Sequence, residues 1–178
     1  MPTEGADADI VVLDPDTIAD ETDALGVGAG VAPPGTYVLL FRVDPAATIT
    51  IGALGDAEFP AGAYAYVGSA FGSNGFDRVD RHRRVAAGSH GVRHWHVDYL
   101  GGHAAASLDS VVAAPHADIE CELARRLRSD VGDDDAPIPG FGASDCDGTA
   151  HLGAGADTDG LRGAAVEAVE AVARPARE

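Results

Sequence analysis

Tyr66-Val67-Gly68-Ser69 and, a little further on, Arg78-Val79-Asp80-Arg81-His82 carry the side chains of this chain best suited to chemistry. They open a basic island in a protein of formal net charge -17: from Arg78 to His96, five arginines and four histidines stand against one acid, Asp80. A strand ending in Tyr-x-Gly that passes into a helix with Arg78 and His82 at i, i+4 puts two cations on one helix face. Phosphate is the natural ligand of such a face, because guanidinium donors match its oxygens in pairs. The competing reading is structural: Tyr64 and Tyr66 as aromatic strand residues, and Arg78, Arg81, Arg83 and Arg84 as a solvated helix face.

Two further constellations bear weighing. His94-Trp95-His96-Val97-Asp98-Tyr99-Leu100 alternates polar with apolar at period two, which predicts a strand with His94, His96 and Asp98 on one wet face. Such a face could ligate a transition metal or help line the phosphate site, although no Cys-x-x-Cys or His-Glu-x-x-His spacing supports zinc. Asp145, Cys146 and His151 suggest a Cys-His nucleophile pair on paper, but spacing does not establish proximity.

The elements that must position these groups can be read along the chain. Residues 1–34 hold eight acids and no base and end Gly-rich, which predicts a flexible acidic segment whose patch Ile10-Val11-Val12-Leu13 docks as a short strand. Tyr37-Val38-Leu39-Leu40-Phe41 reads as a strand buried on both faces, Ile49-Thr50-Ile51 as a second strand and Tyr64-Ala65-Tyr66-Val67 as a third. Phe76 to Ala86 is expected as a helix started by Ser73 or Asn74, with Phe76 and Val79 toward a sheet and Arg78, Arg81 and His82 pointing elsewhere. Asp118 to Leu127 is a second helix with Ile119, Leu123 and Leu127 inward, where Glu120 could simply answer the helix dipole. Asp130 to Pro139 is an acidic turn, Gly140 to Cys146 a tight Gly-rich loop, and Leu161 to Ala173 a last amphipathic helix. The length suits one domain with tails.

Composition sets the surroundings. Twenty-one Asp, eight Glu, twelve Arg and no Lys resemble a protein of a salt-loving cytosol, where concentrated salt screens the repulsion. Nonspecific nucleic-acid binding by the whole surface is thereby disfavoured, and any such contact must come through the basic island. No apolar run is long enough to span a bilayer, and the N-terminus lacks a secretory pattern, so the expected location is cytoplasmic. Cys121 and Cys146 are expected as reduced thiols without a disulfide framework.

Taken in order, Gly35-Thr36-Tyr37, Tyr66-Val67-Gly68-Ser69-Ala70, Arg78-Val79-x-x-His82, His94-Trp95-His96-Val97-Asp98-Tyr99-Leu100, Glu120-Cys121, and Gly140-Phe141-Gly142-x-Ser144-Asp145-Cys146 with His151-Leu152 resemble the Uri-type branch of the GIY-YIG nuclease superfamily. The resemblance covers residues 35–152, leaving residues 153–178 as an Ala-rich helix and tail. It implies an α+β domain with a small antiparallel sheet flanked by helices, acting as a DNA endonuclease with a divalent metal, Mg or Mn. Branched or otherwise structured DNA is the expected substrate, and RNA stays open as an alternative.

Carried over by position, Tyr37 and Tyr66 would align or deprotonate the attacking water, with Tyr64 a further candidate for the first tyrosine. Arg78 would hold the scissile phosphate, supported by His82, and Glu120 would hold the metal. Gly68 would let the backbone approach, with Ser69, Arg81, Arg84, His94 and His96 on the substrate side. Two rival functions remain in view: a noncatalytic nucleic-acid-binding module of the same fold, and a small-molecule metallohydrolase using His94, His96 and Asp98.

Overall fold

The computed structural model describes residues 10–71, 75–88, 96–130 and 151–173. At its centre β2 (Gly35–Val43) pairs antiparallel with β5 (Gly62–Ser69), Tyr37 opposite Gly68 and Leu39 opposite Tyr66. On its other side β2 pairs with β6 (Ala106–Pro115), which in turn pairs with β1 (Val11–Leu13). With β7 (Leu152–Gly155) against β5, the sheet runs β1-β6-β2-β5-β7, and every pairing is antiparallel. Among the described residues, a two-stranded sheet of β3 (Ala47–Thr50) and β4 (Asp56–Phe59) completes the strands. The expected α+β architecture, an antiparallel sheet flanked by helices, is therefore present.

Strand alternation sorts the side chains onto two faces. Tyr37, Leu39, Phe41, Tyr64 and Tyr66 join one core with Phe76, with Val79 of α2 (Asp77–Ala86) and with Val97 and Leu100 of α3 (His96–Gly101). Val38, Leu40, Ala63, Ala65 and Val67 join the other, against Leu123, Ala124 and Leu127 of α4 (Glu120–Asp130) and Leu161, Ala165, Ala168 and Val169 of α5 (Thr158–Ala173). Both faces of β2 are covered, as its unbroken apolar run requires.

The acidic lead-in takes part in the packing. The apolar patch docks on β6 as β1, and a short helix α1 (Pro15–Ala19) follows, capped by the Asp14 carboxylate accepting from the Asp16 N–H at 2.8 Å. Leu13, Ile18 and Val27 are buried, and the Asp23 carboxylate accepts from the N–H groups of Leu25, Val27 and Gly28. Acidity here also shapes turns.

Two expectations are corrected. Helix α2 spans Asp77–Ala86, begins after Phe76 without a side-chain cap, and buries His82 beside Val79 and Val85. His82 therefore points at the sheet and not away from it, completing with Val79 the i, i+3 stripe of the buried face. The predicted strand through Leu100 is instead a helix, α3 (His96–Gly101), burying Val97, Leu100 and Gly101 at i, i+3, i+4. Over so short a window, polar and apolar alternation and a helical stripe cannot be told apart. Ser73, Asn74, His94, Trp95 and the segment 131–150 lie outside the described residues.

Candidate active site

The site is built where the C-terminal end of β5 meets the start of α2. The Arg78 Nη1 donates to the Ser69 carbonyl at 2.7 Å, tying the helix to the strand end. One turn on, His82 reaches the sheet, and its Nε2 lies 2.9 Å from the Tyr37 hydroxyl. Tyr37 crosses its register partner: a Cβ on Gly68 would stand 2.5 Å from the phenol oxygen, so glycine there makes room for the Tyr37 ring. The Tyr66 ring packs between two imidazoles, 6.4 Å from His82 and 6.4 Å from His151.

Behind His82 stands Asp98 of α3, a fully buried carboxylate. Arg81 grips it with both terminal nitrogens, at 3.0 and 2.9 Å, and His82 Nδ1 lies 3.6 Å from its Oδ1. On the far side His151 carries its Nδ1 3.1 Å from the Val67 carbonyl and 3.8 Å from Oε2 of Glu120. A carbonyl only accepts, so Nδ1 of His151 carries the proton.

Burial pushes the Tyr37 phenol well above its ordinary range, with Tyr66, Glu120 and Asp98 adding to the effect and Arg78 opposing it. Burial also lowers His82, against Asp98, which favours its charged form, and with Arg81 and Arg78, which do not. Tyr37 thus senses Tyr66, Arg78, Glu120 and Asp98 together, groups from four further elements. Coupling of this kind occurs at functional sites and in structural ion-pair networks alike.

Other expected residues fall elsewhere. Tyr64 donates its hydroxyl to the Pro60 carbonyl at 2.7 Å and stacks edge-on against Phe59, away from the cluster. Arg84, on the outer side of α2, pairs with Asp80 at 3.3 Å, and Arg83 pairs with the same carboxylate at 2.8 Å. His96 opens α3 and is partly exposed. Residues two apart on a helix point to nearly opposite sides. His96 and Asp98 therefore do not share a face as the expected strand would have had them, and Asp98 faces Arg81 and His82 instead; His94 lies outside the described residues.

A cation would meet a different set of neighbours. Glu120, Cys121 and His151 each offer a ligand atom, all within 4.8 Å of one another. Cys121 is disulfide-bonded, which corrects the expectation of a reduced thiol; the one further cysteine, Cys146, lies outside the described residues. A count of two cysteines carries no information on whether they meet. A disulfide sulfur is no thiolate, so Glu120 and His151 remain as donors. One carboxylate with an imidazole beside it fits a divalent ion that keeps several waters, and the imidazole favours Mn over Mg. The N-terminus of α4 opposes a cation by about 0.3–1 kcal/mol, small beside a direct carboxylate bond.

Sequence reasoning missed two of these placements. Asp98 was legible as an acid inside the apolar run Val97 to Leu100, a position that demands a partner. The approach of His151 to Glu120 had no local signal, because it depends on β7 pairing with β5.

The family model of the domain of unknown function DUF123 matches residues 36–174. The chain belongs to this family. The match runs past β7 to the end of α5, so the DUF123 unit includes the helix that backs β5. Neither the curated proteins nor the solved structures contain a match.

Proposed function

We propose that this DUF123 chain is a divalent-metal-dependent endonuclease hydrolysing phosphodiester bonds in DNA. One observation carries the reading: residues from separate blocks of the sequence meet in one chain of contacts, the Tyr37 hydroxyl 2.9 Å from His82, the Tyr66 ring between His82 and His151, and His151 3.8 Å from Glu120. The order of those blocks, which resembles that of Uri-type GIY-YIG nucleases, supports the same conclusion.

In this reading a water aligned by Tyr37 or Tyr66 attacks phosphorus in line with the leaving oxygen. Arg78, whose Nη1 holds the Ser69 carbonyl, neutralises charge growing on the phosphate oxygens. His82 serves Tyr37 and not the substrate directly. Bound at Glu120 with His151 beside it, Mg or Mn would supply Lewis-acid charge to the phosphate. The contrast between an acidic bulk and a local basic island favours a branch, flap or end over long plain duplex.

The test is cleavage of plasmid, flap and branched DNA, with RNA hairpins in parallel, in molar KCl with Mg or Mn. Metal-dependent cutting of DNA, lost in Glu120→Ala and Arg78→Ala variants that keep their fold, is the expected result. Binding by all three proteins with no cutting by any would favour a noncatalytic nucleic-acid-binding module.

A further inference from the structure

We propose that Asp98 is a positioning residue for this site: gripped by Arg81, it holds His82 with the proton on Nδ1, so that Nε2 accepts a hydrogen bond from the Tyr37 hydroxyl. The tautomer follows from geometry, and its catalytic consequence rests on the endonuclease reading.

The side chain of Asp98 is 0% exposed and that of Arg81 14%, a place where a carboxylate charge without a partner is strongly disfavoured. The bidentate fork supplies that partner and fixes the plane of the carboxylate. Oδ1 is thereby held 3.6 Å from His82 Nδ1. This is longer than a full hydrogen bond, and distances of this kind shorten when a site closes on its ligand. An ionised carboxylate only accepts, so it selects the tautomer with Nδ1 protonated. The Tyr37 and Tyr66 rings, at 5.7 and 6.4 Å, hold the imidazole between them.

The arrangement gives Tyr37 a way to act as a base. Burial makes its phenol hold its proton tightly, so alone it would not remove a proton from water at neutral pH. Burial equally keeps His82 neutral and able to accept. As the water oxygen bonds to phosphorus, its proton passes to the Tyr37 oxygen and the phenol proton to Nε2 of His82. The bond from phosphorus to the leaving oxygen breaks, solvent protonates that oxygen, and His82 returns its proton to solvent. Asp98 steadies the imidazolium, and Arg81 keeps Asp98 ionised. The roles parallel those of a Ser-His-Asp triad, with a phenol in place of the serine.

Long-range nitrogen-proton correlation spectra of the full chain, with His82 assigned by its loss in His82→Gln, read the tautomer directly. Wild type should show the proton on Nδ1. Asp98→Asn, whose amide can donate to Nδ1, should move it to Nε2. Single-turnover cleavage by that variant should fall about 10²- to 10⁴-fold with little change in DNA affinity, and Asp98→Glu should recover part of the rate. A wild-type His82 protonated on Nε2 would overturn the proposal without recourse to any variant. So would an Asp98→Asn protein that cuts at the wild-type rate. A wild type that cuts no nucleic acid would instead remove the endonuclease reading, while the spectrum still decides the tautomer.

Discussion

The two ends of the β2–β5 ladder make opposite uses of charge. At one end, Tyr37 and Gly68 face each other beneath α2, and the polar groups around them are buried and touch. At the other, Val43 faces Gly62 beside a cavity of about 440 Å³ lined in part by Arg42, Asp44 and Asp157. Its Arg42 and Asp44 are 66% and 63% exposed and stand 3.7 Å apart. The Arg42 end holds solvent-screened charges of little energetic weight, whereas the Tyr37 end holds buried polar groups in mutual contact.

The comparison is sharpened most by one arginine from each end. Arg78→Ala should lower the cleavage rate about 10²- to 10³-fold, the usual loss when a donor to developing charge is removed. Its melting temperature should fall by a few degrees, roughly, through loss of the tie to the Ser69 carbonyl. Next in size is Gly68→Ala, which places a methyl group against the Tyr37 phenol. It should cost about 1–3 kcal/mol in chemical denaturation, the range for overpacking, and disturb the Tyr37–His82 contact.

A pH series separates the ends in another way. His82 is lowered by burial, so its neutral form contributes stability above the unfolded-state value of about 6.5, and this is lost as pH falls below it. Between pH 7 and 5, wild type should lose stability faster than His82→Gln, by at most about 1.4 kcal/mol per pH unit. An equal slope in both proteins would show that His82 is not held neutral by the fold.

The smallest effects are expected away from the cluster. Tyr64→Phe loses the bond to Pro60 and should cost about 1 kcal/mol of stability with cleavage unchanged. Arg42→Ala should change stability by no more than a few tenths of a kcal/mol, roughly, and leave cleavage intact. A large loss of cleavage in Arg42→Ala would move the active site to the open end.

Much of the fold was legible because it was written in strong local patterns. The run Tyr37 to Phe41 has no polar interruption and became the doubly buried β2; the helical stripes gave α2, α4 and α5 to within a few residues. Strand β6, which links β1 to β2, was not legible. Its sequence from Ala106 to Pro115 mixes Ala, Ser and Asp with two valines, and its strand form comes from pairing on both sides, a long-range effect. Strands β4 and β7 are four residues each, too short for periodicity to register.

The site divides along the same line. Tyr37, Tyr66, Arg78 and Glu120 were named from ordered blocks, but the alternation of His94 to Leu100 pointed to a wet strand face. Helix α3 turns Asp98 inward instead, and so supplies His82 with a carboxylate that the alternation had placed on the wet face.

The most direct measurement is single-turnover cleavage of a labelled branched DNA by wild type and Tyr37→Phe, in molar KCl with saturating Mn, each protein checked for folding by its melting transition. The phenol at the centre of the cluster should prove indispensable, with Tyr37→Phe slower by about 10²- to 10⁴-fold, as for loss of a positioned acid or base. A folded Tyr37→Phe that cuts at the wild-type rate would contradict the account.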